Sequence, residues 1–264
     1  MDNNIVFDDM RIAHSYDIAY LSGIGMRESQ QDHAYAAAND RDVLAVVCDG
    51  MGGIDRGDLA SATAVEAFTE YYQHCSGQMD GQMDFGWLKP AVEFVDDIVY
   101  SLKYSDGSRI GAGTTLSAVV IHENRLFWVS VGDSRIYIFR GNEMVQVTND
   151  HNYFYQLEQQ LEKGQISSSK FHEEAQNGEA LISYIGMGGI YLMDVGEEGF
   201  ALQSGDAVFI CSDGIYRSVS DADLLEIVSS TPEAEETICS LEKRIKDKAI
   251  PWQDNYTGIL IKIV

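Results

Sequence analysis

Aspartates recur at the ends of apolar runs in this sequence, often beside glycine. Asp49-Gly50 follows Leu44-Ala45-Val46-Val47-Cys48, Gly132-Asp133 follows the run 127–131, and Asp213-Gly214 follows the run 207–212. Asp254-Asn255 stands just before the last apolar run, and Asp32 stands just before Tyr35. Any one Asp-Gly pair makes a good turn, so a single site of this kind says little. Five of them, fed by apolar strands, are different, because a strand held in a core delivers its last residue to a rigid place, as a metal site requires. Carboxylates packed together cannot all stay ionised unless cations neutralise them. An all-oxygen donor set of aspartate, backbone carbonyl and water suits Mg²⁺ or Mn²⁺ rather than Zn²⁺. Gly50, with no side chain, lets the backbone approach closely, which makes its carbonyl a candidate ligand beside Asp49.

The elements that must position these groups are short and β-rich. Val, Ile, Tyr and Phe fill runs at 17–22, 43–48, 114–122, 125–131, 135–140, 206–211 and 257–264. His122-Glu123-Asn124 and Gly141-Asn142-Glu143 predict hairpin turns. Ala60, Ala64, Phe68 and Tyr72 recur every fourth residue and predict one helix face. Ser220 and Asp223 have the spacing of a capping box and open a second helix. A third is expected after Thr231, with Pro232 at its first position, an apolar stripe of Ile238, Leu241 and Ile245, and a basic end at Lys246 and Lys248. The tandem Gly-Gln-Met-Asp repeat at 77–84 reads as a surface connection between helices. Strict strand–helix alternation is lacking, so the pattern predicts mostly antiparallel sheets covered by helices rather than a doubly wound parallel sheet.

Composition narrows the function. The chain has 264 residues, 45% hydrophobic, with 18 basic and 42 acidic side chains, a formal charge of −24. That balance argues against nucleic-acid binding, which needs clustered Lys and Arg, and against an anionic membrane surface. No apolar run approaches the roughly 20 residues of a membrane helix, and the acidic start lacks the features of a secretory signal, so a cytoplasmic protein is expected. Cys48, Cys75, Cys211 and Cys239 form no Cys-x-x-Cys pair and read as free thiols in a reducing compartment. The six histidines show no metal-binding spacing, and His151, beside Asp150, reads as a structural hydrogen-bonder. No Cys-x5-Arg loop offers a thiol nucleophile.

Taken in order, the motifs resemble a known family. Asp49-Gly50-Met51-Gly52-Gly53 is similar to the Asp-Gly-Met-Gly-Gly signature of bacterial metal-dependent Ser/Thr protein phosphatases, the type 2C (PPM) family. Arg27-Glu28-Ser29-Gln30-Gln31-Asp32 resembles that family's opening Arg-x-x-Asn-Glu/Gln-Asp. Gly113-Thr114-Thr115, Gly132-Asp133-Ser134-Arg135, Thr148-Asn149-Asp150-His151, Ser212-Asp213-Gly214 and Asp254-Asn255 follow in the family's order, so the likeness spans 27–255. It implies an α+β fold: a β-sandwich of two mostly antiparallel sheets flanked by helix pairs, four layers in αββα order. It also implies a single catalytic domain over 1–264.

The resemblance further implies that Asp49 bridges two ions, Mn²⁺ or Mg²⁺. Gly50, through its carbonyl, and Asp32 would serve one of them, and Asp213 and Asp254 the other. Asp133 with Asp213 resembles a weaker site for a third ion, and Arg27 matches the arginine that grips the substrate phosphate. The implied reaction is hydrolysis of phosphoserine and phosphothreonine on proteins, the products of a Ser/Thr kinase, by water activated between two cations. A catalytically weak module that binds a phosphoprotein is the alternative. Departures from the family pattern are Gln30 in place of Asn, Gln31 at a position often acidic, Met51 where eukaryotic relatives carry a histidine proposed as general acid, and Ser183-Tyr184 where many carry Thr-Arg.

Overall fold

The computed structural model describes residues 5–8, 15–39, 42–51, 56–76 and 84–264. In chain order its strands are β1 (Ile5–Asp8), β2 (Tyr16–Gly23), β3 (Asp32–Ala38), β4 (Asp42–Met51), β5 (Gly113–Thr114) and β6 (Leu116–His122). They continue with β7 (Arg125–Val131), β8 (Arg135–Arg140), β9 (Glu143–Gln146), β10 (Asp194–Ala201), β11 (Ala207–Cys211) and β12 (Tyr256–Ile263). The α-helices are α1 (Gly57–Ser76), α2 (Leu88–Tyr100), α3 (Tyr153–Glu162), α4 (Ser168–Glu174), α5 (Asp213–Tyr216), α6 (Asp221–Ser230) and α7 (Ala234–Lys248).

Two sheets form. One runs β1-β3-β4-β6-β7-β10, with β5 on the end of β4, and the other runs β2-β12-β11-β8-β9. All pairings are antiparallel except β1 with β3. The apolar runs explain the stacking. Along β4, Val43, Ala45 and Val47 face the second sheet and join Ile136, Ile138, Val208, Ile210, Ile259 and Ile261 in a core between the sheets. Leu44, Val46 and Cys48 face the other way and pack with Ala60, Ala64, Phe68, Val92 and Val95 of α1 and α2. The outer face of the second sheet, with Phe209, Cys211 and Leu260, is covered by Leu224, Ile238, Leu241 and Ile245 of α6 and α7. A strand buried on both faces needs a continuous apolar run rather than alternation, which is what β4 and β11 carry. The result is the expected four-layer αββα sandwich.

Local expectations mostly hold. Both hairpin turns form, with Glu123 and Asn124 at φ 48° and 59° and Gly141 at φ 60°. Ser220 accepts a hydrogen bond from the Asp223 N–H and caps α6. One start is corrected: α7 begins at Ala234, not at Pro232. Its cap comes from outside the segment, since the Asp17 carboxylate accepts the Ala234 N–H at 2.6 Å and leaves 232–233 outside the helix. The expected surface connection falls largely on residues 77–83, outside the described residues, as do Gly52 and Gly53. The four cysteines are free, with Cys48 and Cys211 buried. Among the described residues no helix is long and apolar enough to cross a membrane.

Candidate metal centre

The aspartates converge where strands of both sheets end. Asp32 opens β3 and lies directly across from Asp49 near the end of β4. Asp133 follows β7, Asp213 follows β11 at the start of α5, and Asp254 precedes β12. Together with Arg27, the carboxylates of Asp49, Asp133, Asp213 and Asp254 line one cavity of about 390 Å³. Gly50, Gln31, Thr115, Glu179 and Arg217 complete most of its wall. Asp32 lies behind it, buried, with Oδ2 accepting from the Ser212 hydroxyl at 2.8 Å.

Backbone contacts fix each carboxylate. Asp49 is clamped by two threonines: its N–H donates to Thr115 Oγ1 at 2.9 Å, and its carbonyl accepts from the Thr114 hydroxyl at 2.8 Å and the Thr115 N–H at 2.9 Å. Gly50 must be glycine for space. A Cβ there would lie 2.2 Å from the Gly57 carbonyl oxygen and 2.5 Å from that of Gln31. Gly214 is constrained in the same way, since a Cβ would sit 2.0 Å from the Asn255 carbonyl oxygen, so the loops bearing Asp213 and Asp254 touch backbone to backbone. His151 acts as the structural hydrogen-bonder its context suggests: Nδ1 accepts the Gly132 N–H at 3.2 Å, and its own N–H donates to the Gly132 carbonyl at 2.9 Å. That double link steadies the turn bearing Asp133.

Arg27 is tied to the opposite end of the chain. Its Nη2 donates to Asp254 Oδ2 at 2.6 Å, and its side chain is 58% exposed at the cavity rim. Asn255 holds the loop that carries it. The Asn255 amide nitrogen donates to the Ile24 and Ser29 carbonyls at 2.9 and 3.0 Å, and its Oδ1 accepts the Gln31 N–H at 2.8 Å. Gln30, a departure from the family pattern, uses Oε1 to accept the Asp32 N–H at 3.1 Å and so steadies the start of β3.

The electrostatics are those of crowded anions. Burial, and then Asp213 and Asp254, push the Asp32 carboxyl up to about 7 against its hydrogen bonds to Ser212 and Thr257. Burial followed by Asp32, Asp213, Asp133 and Asp254 holds Asp49 well above the usual carboxylate range. Asp133 is pushed up to about 7, first by burial and then by Asp213 and Asp150, with Arg217 pulling against them. Asp213 is raised by burial, with Arg217 the main opposing charge. The cluster therefore asks for positive charge, and Asp213 Oδ1, buried and without a hydrogen-bond donor among the described residues, leaves a lone pair for it. Among the described residues no group of three His, Cys, Asp or Glu side chains forms a cage that would hold an ion unaided. An ion here would combine carboxylates with carbonyl and water oxygens, a donor set that Mg²⁺ and Mn²⁺ accept and Zn²⁺ does not favour.

The family model described as protein phosphatase 2C matches residues 24–250. The chain belongs to the protein phosphatase 2C family. Its reaction is accordingly the removal of phosphate from phosphorylated serine and threonine of proteins. A serine/threonine phosphatase of Listeria innocua is 29% identical over 209 residues, 78% of this chain and 79% of its own. The serine/threonine phosphatase of S. agalactiae shares the fold, with a TM-score of 0.76 at 24% identity over 94% of this chain and all of that one. The catalytic domain of the phosphatase PstP, described in complex with two manganese ions, is 27% identical, with a TM-score of 0.72 over 95% of this chain and 99% of that one.

This phosphatase also uses residues at its site that spacing alone does not mark. Thr115, Asn255 and Ser212 act through hydrogen bonds to neighbours far away in sequence, for which a sequence carries no period. Arg217 lies one helical turn beyond Asp213, and that i,i+4 relation is the one signal available for it.

Proposed function

We propose that this phosphatase hydrolyses phosphoserine and phosphothreonine at a dinuclear centre built on Asp49. The observation that carries the reading is the convergence of four carboxylates, from strand ends up to 205 residues apart, on the cavity that Arg27 borders. Asp49 would bridge the two ions, with the Gly50 carbonyl and Asp32 serving one and Asp213 and Asp254 the other. When bound, two such cations lower the pKa of a water and offset charge on the phosphoryl oxygens. Arg27 offers a planar fork that can take two phosphate oxygens at once and hold the phosphorus in line. Its present partner, Asp254, is 35% exposed, so an arriving phosphate competes for the guanidinium at a wet rim rather than in a closed pocket. The Thr114–Thr115 clamp and the Gly214–Asn255 contact keep the carboxylates in place, so little rearrangement is needed when the anions are neutralised.

Manganese or magnesium fits the donor set, and the manganese complex of PstP supports two ions. Phosphoproteins made by a Ser/Thr kinase in the cytoplasm are the substrates that this chemistry fits. The Asp133–Asp213 pair is the place where a third ion would sit. The direct test is Mn²⁺-dependent turnover of p-nitrophenyl phosphate and of a phosphothreonine peptide. Wild type turns over both with Mn²⁺ and neither in EDTA, and Asp49→Asn turns over neither. Equal rates with and without metal would contradict the reading.

A further inference from the structure

Arg217 places its guanidinium among three carboxylates. Nε lies 2.8 Å from Asp213 Oδ2 in an ion pair, Nη1 donates to Glu179 Oε2 at 2.7 Å, and Nη2 lies 3.8 Å from Asp133 Oδ2. Two of those three are the pair that would hold a third ion. We propose that Arg217 is a built-in cation that takes the place of the third metal ion, so that this phosphatase carries two ions and an arginine. The inference rests on the dinuclear reading above and adds to it a property of this chain.

Three observations support it. An arginine keeps its charge at any pH the protein meets, whereas an ion at a weak site comes and goes with concentration. A divalent ion between Asp133 and Asp213 would have to displace the guanidinium from Asp213 Oδ2 and would meet its positive charge at close range. Asp213 is also divided in a useful way. Oδ2 faces Arg217, while Oδ1 is buried without a hydrogen-bond donor among the described residues and stays open to an ion of the dinuclear centre. The contact to Glu179 counts for less, since that carboxylate is 80% exposed and screened by solvent. Anchorage comes instead from the neighbours: Tyr216 donates its hydroxyl to the Asp133 carbonyl at 3.1 Å, and Ser218 donates to the Gly214 carbonyl at 2.7 Å.

The test counts ions rather than turnover. Metal-free wild type, Arg217→Met, Arg217→Lys and the double variant Arg217→Met with Asp133→Asn are titrated with MnCl₂. Calorimetry gives the affinities, and the electron paramagnetic resonance signal of free Mn²⁺ gives the number bound. Wild type and Arg217→Lys should bind two ions. Arg217→Met should bind a third, at least about tenfold tighter than any third ion on the wild type, and the double variant should lose it. Should Arg217→Met fail to fold, Arg217→Gln replaces it in the same titration. A third ion on the wild type as tight as the first two, or the same number and affinities in wild type and the neutral variant, would overturn the proposal. Binding of no ion by the wild type would bring down the dinuclear reading, and this inference with it.

Discussion

At the scale of single residues, the cluster trades stability for chemistry. Asp32 and Asp133 carry carboxyls pushed up to about 7, and burial and its neighbours hold Asp49 well above the ordinary range. A carboxyl whose folded value is raised contributes stability that is fully present below its unfolded value, about 4, and that is lost as pH rises through the folded value. In EDTA the wild type therefore suffers most from its own anions above about pH 7. Asp49→Asn should unfold at higher urea than wild type in EDTA, with a larger gain at pH 8 than at pH 5, although Mn²⁺-dependent turnover is gone. A lower urea midpoint at pH 8 would show that Asp49 is held by favourable contacts rather than by repulsion. Arg27→Ala tests the phosphate grip: kcat/KM on a phosphopeptide should fall on the order of 100-fold, with the urea midpoint little changed because the Arg27–Asp254 pair is exposed. An unchanged kcat/KM would leave Arg27 a surface residue.

At the scale of elements, the site depends on loops that touch because two glycines lack a Cβ. Gly214→Ala places a methyl group 2.0 Å from the Asn255 carbonyl oxygen, and one loop must move. Overpacking of this kind costs about 1–3 kcal/mol, so urea unfolding should show that loss, and turnover should fall with it as Asp213 and Asp254 part. Full activity and stability in Gly214→Ala would mean that the loops tolerate the shift and do not set the geometry. How far the sequence revealed these elements follows from the same physics. β7 and β8 were legible to the residue because aromatic and branched side chains fill them and hairpin turns bound them. β3 was missed because Asp32–Ala38 is four-sevenths alanine, which has little β-propensity, and it is a strand only because β1 and β4 pair with it. β10 was missed because Asp194–Ala201 is broken by two glycines and two glutamates and pairs with β7 through a register shift. The start of α7 depends on Asp17, more than 200 residues away, and no local signal carries that.

At the scale of the whole molecule, the two sheets bring into one cavity carboxylates that the chain keeps far apart. Asp49, Asp133, Asp213 and Asp254 were legible because each borders an apolar run, a local pattern, whereas Asp32 opens the alanine-rich β3. Arg217 was not, because its role comes from where Asp133 and Glu179 lie in space. A fold that gathers anions in this way should be stabilised by cations through mass action: Mn²⁺ at 100 times its dissociation constant adds about 2.7 kcal/mol per site. The Tm of the wild type should therefore rise with Mn²⁺ and that of Asp49→Asn should not, and parallel shifts in both would place the binding elsewhere on this acidic chain. The most direct measurement is crystallographic: anomalous scattering at the manganese edge from crystals grown with Mn²⁺. Two peaks about 3.5–4 Å apart, both within ligand distance of Asp49, are the predicted result. An empty cavity, or manganese bound away from Asp49, would contradict the account.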